Sequence, residues 1–301
     1  MAEILDCKLV AASVKEECRR QADLLKKKGI APKLGIVRVG EKGPDLSYEK
    51  GATKTMHDSG IDVEVFAFPA DISQDEYIKE FRKINSDPSI HGILAFRPLD
   101  NIDETEAISN NLNPLKDIDA STVENMGKVV INDKSGLYPC TAAAIMEIID
   151  FYKIDVKSKN VVIINNSNVV GKPLSMMLTN RFATVTLCHE FTKNIKDICL
   201  NADIVICAVP VENIVKADQI KPGAVVIDAT IIRKKVFDDN GNPVISEKTG
   251  RQKSVTVGCC EPDVDKVAGC KTPVPGVGGI TSAMLAKNLI KACKLQNDIT
   301  D

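Results

Sequence analysis

Tryptophan is absent from the 301-residue sequence, and histidine occurs only three times. No Cys-x-x-Cys pair is present and the histidines have no ligand spacing, so the sequence predicts no metal site. No apolar run approaches the length needed to span a bilayer. The start of the chain also lacks the basic-then-apolar pattern of a signal peptide, and we expect a soluble, cytoplasmic protein.

A strong excess of either charge is also missing, because 39 Lys and Arg residues balance 41 Asp and Glu residues to a net charge of -2. This balance gives no electrostatic reason to expect nucleic acid or an anionic membrane as a partner. The ten cysteines are scattered through apolar segments, and we predict buried free thiols rather than disulfides. The adjacent Cys259 and Cys260 have no histidine near them in the sequence and are assigned no metal.

What the chain does contain is a clear β-α-β pattern between Asn160 and Glu190. Val161 to Ile164 is a short β-branched run typical of a buried parallel strand, and Gly171 begins a segment with helical spacing of apolar residues. Ala183 to Cys188 predicts the second strand. A glycine at the start of such a helix favours a nucleotide pyrophosphate, because free N–H groups and the helix dipole face the ligand there. Only one glycine of the G-x-G-x-x-G pattern is present, so the motif is weak by itself.

Glu190 strengthens the dinucleotide interpretation. It lies about 20 residues beyond the turn, at the end of the second predicted strand, where a carboxylate can accept hydrogen bonds from an adenosine ribose. The alternative is a solvated loop carboxylate, and the pattern alone favours neither.

Strand and helix patterns alternate along the rest of the chain, which predicts an α/β fold with a parallel or mostly parallel sheet. The length suits two domains. We assign residues 1–140 with 282–301 to an N-terminal α/β domain and residues 141–281 to a Rossmann-type dinucleotide-binding domain. Residues 233–254 are polar, and Asp238-Asp239-Asn240-Gly241 predicts an exposed hairpin without assigned chemistry.

Six segments in order resemble the methylenetetrahydrofolate dehydrogenase/cyclohydrolase family. They are Ser47-Tyr48 after VGEKGPDL, KDIDA at 116–120, PCT at 139–141, the S-x-V-V-G-K-P turn at 167–173, KPGAVVID at 221–228 and TPVPG at 272–276. The resemblance implies oxidation of 5,10-methylenetetrahydrofolate to the 5,10-methenyl cation with a nicotinamide dinucleotide. It also implies a folate cleft between the two domains, a C-terminal helix that returns to the first domain, and a homodimer.

The resemblance also implies roles for individual residues of the folate site. Tyr48 matches the tyrosine that packs against folate, and Asp119 matches the carboxylate that binds the pterin ring, which can donate two parallel N–H bonds. These two are the catalytic candidates. Pro275 and Gly276 match a loop that closes over the substrate, although the chain has PGVGG where the family usually has PGGVG. The alternatives are a packed surface aromatic for Tyr48 and a turn residue for Asp119.

The cofactor site inferred from the resemblance departs from the family pattern at two positions. NADP-using members carry an arginine before the turn serine and a small polar residue after the histidine that ends the second strand. Here these residues are Asn166 and Glu190. Losing a cation and gaining an anion disfavours a 2′-phosphate, so NAD is predicted over NADP unless Lys172 or Lys193 restores phosphate binding. The predicted cofactor-binding residues are Thr141, Asn166, Ser167, Val169, Gly171, Glu190, Ala229, Ile231 and Thr281.

Two further departures concern hydrolysis of the methenyl cation. Bifunctional members carry a lysine one helical turn after the tyrosine and a glutamine in the following strand segment, whereas this chain has Ala52 and Phe96. Lys50 and Lys54 flank Ala52 but lie about 200° around a helix from it. We therefore predict a dehydrogenase with weak or absent cyclohydrolase activity. The alternatives are a bifunctional NADP-dependent enzyme, in which Lys50 or Lys54 substitutes, and a non-catalytic folate- or dinucleotide-binding protein.

Overall fold

The computed structural model of the chain describes residues 1–238, 240–247 and 250–299, and it divides into two compact units. The first unit comprises Leu9–Ala144 and the chain from Ile280 onward, and the second comprises Met1–Lys8 and Ile145–Gly279. Among the described residues, no helix combines the length and apolar character that a membrane span requires.

The helices have the following bounds: α1 Cys7–Lys27, α2 Gly43–Asp58, α3 Gln74–Ser86, α4 Val123–Val130, α5 Cys140–Phe151, α6 Gly171–Thr179, α7 Ile195–Leu200 and α8 Val277–Gln296. The strands are β1 Glu3–Ile4, β2 Lys33–Val39, β3 Asp62–Phe68, β4 Gly92–Ala95, β5 Asn160–Ile164, β6 Thr184–Cys188, β7 Ile204–Cys207, β8 Val225–Asp228, β9 Ile232–Lys235, β10 Ser254–Val257 and β11 Cys270–Lys271.

The first unit contains a parallel sheet of three strands in the order β3-β2-β4. An isolated parallel bridge between Ile93 and Asp117 extends it beyond β4. Tyr77 and Phe81, one helical turn apart on α3, are buried in the core beside this sheet. The Ser73 side chain caps α3 by accepting the N–H of Glu76. The alternating pattern in the sequence thus produced the predicted parallel α/β arrangement.

The second unit contains a parallel sheet of six strands in the order β1-β11-β8-β7-β5-β6. Its outermost member corrects the predicted domain boundary. Glu3 pairs with Cys270, and the Tyr152 hydroxyl donates to the backbone oxygen of Asp6 at 3.2 Å, so residues 1–8 belong to the second unit. Two residues of strand are too short a signal for the sequence pattern to detect.

One row of residues crosses this sheet where four strands end. Ile164 is in register with Cys188 on one side and Cys207 on the other, and Cys207 is in register with Asp228. The residues that follow these four therefore leave the sheet at its carboxyl edge. In open parallel sheets, ligands bind in the crevice at this edge.

The polar segment near residue 240 forms the predicted hairpin. Strands β9 and β10 pair antiparallel, and Phe237 bridges Pro243 further along. The turn is held by Asp238, whose backbone oxygen accepts the N–H of Gly241 at 2.9 Å. Asp239, which was part of the predicted turn, lies outside the described residues.

Helix α2 begins at Gly43, and Pro44 is accommodated within its first turn. Helix α8 begins at Val277. Helix α4 was not predicted, since VENMGKVV carries a glycine and three valines, but Thr122 caps it by accepting the N–H of Asn125.

The cysteines follow the expectation with one exception. Eight are free thiols, and all of these except Cys270 are buried. Cys207 and Cys259 are assigned as a disulfide, with their sulfur atoms in contact, which corrects the prediction of free thiols for this pair.

Candidate active site

Helix α2 presents Tyr48 at the surface of the first unit. The residue is 48% exposed, and its ring centroid lies 5.3 Å from that of Phe96 at an interplanar angle of 49°. Phe96 itself directly follows β4 and is only 6% exposed. The pair leaves one side of the tyrosine ring accessible, as stacking on a flat heterocycle requires.

Ala52 lies one helical turn beyond Tyr48 and is 3% exposed, so its methyl group is packed rather than free. The flanking Lys54 does not replace a lysine at this position, because its Nζ pairs with the Asp58 carboxylate at 2.7 Å. Lys50 is exposed on the same helix. The surroundings of Tyr48 are therefore apolar where the resemblance led us to expect a cation and an amide.

Asp119 is held in place by its neighbours in the KDIDA segment. The backbone oxygen of Lys116 accepts the N–H of Ile93 at 2.8 Å, which anchors the segment beside β4. The buried Asp117 carboxylate accepts the N–H groups of Ser121 at 3.0 Å and Thr122 at 2.7 Å. Of the two aspartates, Asp117 is thus committed to the backbone, whereas Asp119 is exposed and available to a ligand.

The environment of Asp119 changes its acidity. Desolvation raises the pKa of Asp119 above its ordinary value, and the charge of Asp117 raises it further. Arg97 and a hydrogen bond with Cys140 act in the opposite direction. The Cys140 thiol also contacts the backbone oxygen of Ile118 at 3.3 Å, which places it at the base of the same loop.

Tyr48 and Asp119 influence each other electrostatically. Partial burial raises the pKa of Tyr48 to about 12, with electrostatic interactions with Asp119 and Cys140 as further causes. Tyr48 is consequently a neutral phenol at physiological pH. It can pack and donate a hydrogen bond, but it is not a base. Sequence reasoning did not identify Arg97 and Cys140 as neighbours of this site, since no local pattern joins them to residue 119.

In the second unit, the turn after β5 is organised by Asn165, a residue that the sequence analysis did not single out. Its side-chain oxygen accepts the N–H groups of Ser167 at 2.8 Å and Gly171 at 2.9 Å, and its amide nitrogen donates to the Ala208 oxygen at 2.6 Å. The Ser167 hydroxyl accepts the N–H of Val170 at 3.1 Å. The Asn-Asn-Ser sequence after a strand is a signal for such a side-chain turn.

Gly171 is required by this geometry. A Cβ atom here would overlap the backbone carbonyl of Asn165. Helix α6 begins at Gly171, and the N–H groups of its first turn are already bonded within the turn: Gly171 donates to the Asn165 side chain at 2.9 Å, Lys172 donates to the backbone oxygen of Ser167 at 3.1 Å, and Pro173 has no N–H. The close backbone approach and the positive end of the helix dipole suit the pyrophosphate of a dinucleotide.

Glu190 lies two residues beyond the end of β6, the edge strand that neighbours β5. It is exposed, and within the described part of the chain it makes no hydrogen bond or ion pair. Lys172 donates to the side chain of Asn168 at 2.8 Å, and Lys193 is exposed. The carboxylate of Glu190 is thus free to accept hydrogen bonds at the carboxyl edge of the sheet.

The remaining predicted residues are distributed between the units. Ala229 and Ile231 follow β8 at the carboxyl edge of the second sheet, and Ile231 is 50% exposed. A Cβ atom on Gly278 would approach the Ile231 side chain at 3.2 Å. The second unit also contains the exposed Asn166 and Val169, together with Pro275 and Gly276. The first unit contains Thr141 and Thr281 as well as the folate candidates Tyr48 and Asp119.

Comparison with known proteins assigns this pair of sites to a family. The model of the tetrahydrofolate dehydrogenase/cyclohydrolase catalytic domain matches residues 5–119, and that of the NAD(P)-binding domain of the same family matches residues 139–297. The chain belongs to the tetrahydrofolate dehydrogenase/cyclohydrolase family. Among its relatives, the bifunctional protein FolD of Carboxydothermus hydrogenoformans is 44% identical over 300 residues, which cover 99% of this chain and 100% of that protein.

Solved structures of family members have the same fold. The bifunctional enzyme FolD from Campylobacter jejuni is 33% identical with a TM-score of 0.86, and the match covers 98% of this chain and 99% of that chain. The Trypanosoma brucei methylenetetrahydrofolate dehydrogenase-cyclohydrolase, complexed with NADP cofactor and inhibitor, is 30% identical with a TM-score of 0.85 and 98% coverage of both chains.

Family membership confirms the predicted resemblance and the two-domain α/β fold. It also confirms an oxidoreductase of folate one-carbon metabolism with a Rossmann-type domain for a nicotinamide dinucleotide. The names of these relatives favour the bifunctional alternative over the expected monofunctional enzyme. The NADP bound to the trypanosomal relative likewise favours NADP over the expected NAD.

Proposed function

We propose that the chain oxidises 5,10-methylenetetrahydrofolate to 5,10-methenyltetrahydrofolate by hydride transfer to NAD, with weak or absent hydrolysis of the product. The observation that carries the proposal is the pairing of an accessible Tyr48 ring with an exposed Asp119 carboxylate on a rigid loop. An aromatic face and a carboxylate suit a flat heterocycle that offers parallel N–H donors.

In this mechanism the residues of the site bind the folate substrate and orient it toward the cofactor. Asp119 accepts two N–H bonds from the pterin, and Tyr48 packs against it as a neutral phenol, so that the methylene carbon is held toward the nicotinamide. The bound dinucleotide supplies the hydride acceptor. No protein acid or base is needed, because the substrate nitrogens supply the electrons that expel the hydride. Pro275 and Gly276 are proposed to close over the substrate.

Different cofactor-binding residues are proposed to bind different parts of the dinucleotide. The backbone around Ser167, Val169 and Gly171 holds the pyrophosphate, while Asn166 and Glu190 select the ribose. The nicotinamide end is assigned to Ala229, Ile231 and Thr281, and Thr141 is a further proposed cofactor-binding residue. Glu190 supports NAD, because an unpaired carboxylate repels a 2′-phosphate and accepts a hydrogen bond from a 2′-hydroxyl.

The proposal that hydrolysis is weak is based on Ala52 and Phe96. Hydrolysis of the methenyl cation needs a polar group to activate water near the reacting carbon. Both side chains are buried and apolar, and Lys54 is engaged with Asp58. The second candidate function is a bifunctional NADP-dependent dehydrogenase/cyclohydrolase. It is favoured by the bifunctional relative at 44% identity and by the NADP in the trypanosomal structure.

A spectrophotometric assay with methylenetetrahydrofolate decides between these functions. Reduced cofactor and methenyl product are followed together, with NAD and NADP in parallel and an enzyme-free control. NAD-dependent turnover with methenyl decay at the control rate supports the proposal. Efficient NADP use or enzyme-accelerated decay supports the bifunctional candidate. The absence of turnover with either cofactor, from protein that still binds folate or dinucleotide, supports a non-catalytic binding protein.

A homodimer is also proposed on the basis of family resemblance. Light scattering on the full chain tests it directly, and a monomeric mass at micromolar concentration would remove it.

A further inference from the structure

Four side chains with metal-binding groups meet in the second unit at the carboxyl edge of its sheet. Cys207 ends β7, Asp228 ends β8, and the two are in register. Cys259 and Cys260 follow β10, and a bridge between Val215 and Cys260 fixes that segment. None of the four has a role in the proposed reaction.

The four groups are close enough to share one ion. The ligand atoms of Asp228, Cys259 and Cys260 all lie within 4.8 Å of one another, and all three residues are buried. The sulfur of Cys207 contacts that of Cys259. Zinc bonds of about 2.3 Å to sulfur place neighbouring tetrahedral ligands about 3.8 Å apart, so a small adjustment of these side chains completes a site.

The buried Asp228 carboxylate of this cluster is a charged group that a bound cation would neutralise. Asp228 is 2% exposed, and its Oδ1 accepts the N–H of Thr230 at 3.0 Å while its Oδ2 accepts the N–H of Cys260 at 2.9 Å. Its Oδ1 atom also lies 3.2 Å from the Cys259 sulfur. In the reduced form this contact is a hydrogen bond from the Cys259 thiol to the carboxylate, and a cation bound between the two atoms would take the place of the thiol proton.

The backbone before the two cysteines allows the Asp228 carboxylate to lie close to them. Gly258 precedes the two cysteines, and a Cβ atom there would overlap the Asp228 carboxylate. The nearby Lys271 does not neutralise the cluster alone, since its Nζ pairs with Asp265 at 2.5 Å.

We propose that Cys207, Asp228, Cys259 and Cys260 bind one divalent zinc-class ion after a dithiol reductant, itself oxidised to a disulfide, has reduced the Cys207–Cys259 disulfide to two thiols, which lose their protons on binding. Three thiolates and a carboxylate form a soft, tetrahedral ligand set that selects zinc over magnesium or calcium. The ion links β7, β8 and the segment after β10, and so holds the start of the loop that continues to Ala229. Its role is structural, and the redox reaction does not pass through it.

The test uses the full chain, purified under reducing conditions without chelator, incubated with zinc and dialysed. Elemental analysis is expected to give about one zinc per chain. Cys259→Ser and Cys260→Ser are expected to lower that content at least about tenfold, because each removes one of the four ligands. Cys293→Ser, which replaces a buried free thiol in the first unit, is the matched control and is expected to retain the metal.

Cobalt substitution provides a second readout that does not depend on variants that fold. Titration of the metal-free protein with cobalt is expected to produce the intense thiolate absorption of a tetrahedral site. Wild-type protein that retains less than about a tenth of an equivalent of zinc and gives no such absorption overturns the proposal. Alkylation mass spectrometry of that protein then distinguishes a Cys207–Cys259 disulfide from ten free thiols. Neither readout uses catalysis, so this result is independent of the proposed function.

Discussion

The candidate folate site and the candidate dinucleotide site are built in different ways. Around Tyr48, the chemistry is carried by side chains, and the chain departs from the family pattern at Ala52 and Phe96 without disturbing the backbone frame of Lys116. At the turn after β5, the fit to a ligand depends on the path of the backbone, which Asn165 and Gly171 hold in place. Substitution at the first site alters the reaction, whereas substitution at the second threatens binding itself.

The largest effect is expected from Gly171→Ala. The added methyl group overlaps the Asn165 carbonyl, and displacing that backbone costs about 1 to 3 kcal/mol and misplaces the turn that is proposed to meet the pyrophosphate. We expect dinucleotide affinity to fall by about 100-fold, measured by titration of cofactor fluorescence. The control is Gly127→Ala in α4, where a Cβ atom meets nothing within 4 Å and a gain of about 0.5 to 1 kcal/mol in stability is expected. Equal cofactor affinity in the two variants would contradict this account of the turn.

Substitutions at the neighbouring Asp117 and Asp119 are expected to separate an effect on stability from an effect on catalysis. Asp119→Asn removes a charged acceptor, and we expect kcat/KM to fall by roughly 10- to 150-fold, equivalent to about 1.5 to 3 kcal/mol. Asp117→Asn should instead lower the free energy of unfolding by about 2 kcal/mol, because its buried carboxylate accepts the N–H groups of Ser121 and Thr122. Steady-state kinetics and denaturant unfolding of both variants test the contrast.

The raised pKa of Asp119 predicts the sign of its effect on the free energy of unfolding. Because the pKa is higher in the folded state than in the unfolded chain, the ionised carboxylate opposes folding at pH values above both. This cost is removed as the pH falls through the raised folded pKa. Asp119→Asn should therefore be slightly more stable than wild type at neutral pH, and the difference should shrink below the ordinary range of an aspartate. A variant that is less stable at neutral pH would refute the sign.

The double substitution Ala52→Lys with Phe96→Gln tests the missing hydrolytic step. A lysine and an amide beside Tyr48 supply the polar groups that activate water, and we expect methenyl decay to accelerate at least about 10-fold over wild type. Lys54→Ala is the comparison for the rival explanation. It should leave the decay rate unchanged, because Lys54 already pairs with Asp58. A loss of decay in Lys54→Ala would show that this lysine had taken over hydrolysis.

A modest effect on cofactor choice is expected at the adenosine ribose. Asn166→Arg with Glu190→Ser adds a cation and removes an anion at an exposed position, and the ratio of NADP to NAD efficiency should rise about 10-fold, or about 1.4 kcal/mol. Glu124→Ser removes one negative charge in the first unit and serves as the control. An unchanged ratio in the double variant would remove Glu190 as the selecting residue.

Much of the fold was predictable because its signals are local. The β-branched run of β5, the helical spacing after Gly171 and the position of Glu190 were read correctly as a β-α-β unit. The boundary of the second unit was wrong at residues 1–8, since the pairing of Glu3 with Cys270 joins positions far apart in the chain. Helix α4 was missed because its stability comes from the Thr122 cap and from packing rather than from propensity.

The candidate sites also combine features that local sequence patterns predict with features that only the tertiary structure shows. By itself, the sequence determined the parallel α/β fold, the dinucleotide turn and the identity of Tyr48 and Asp119 as candidates, since period, glycine placement and motif order are properties of short segments. Only the tertiary structure decided that Asp117 is structural while Asp119 is available, and that Asp228 meets the cysteines of two other segments. Those relations depend on strand register and burial, which bring together residues that no local pattern connects.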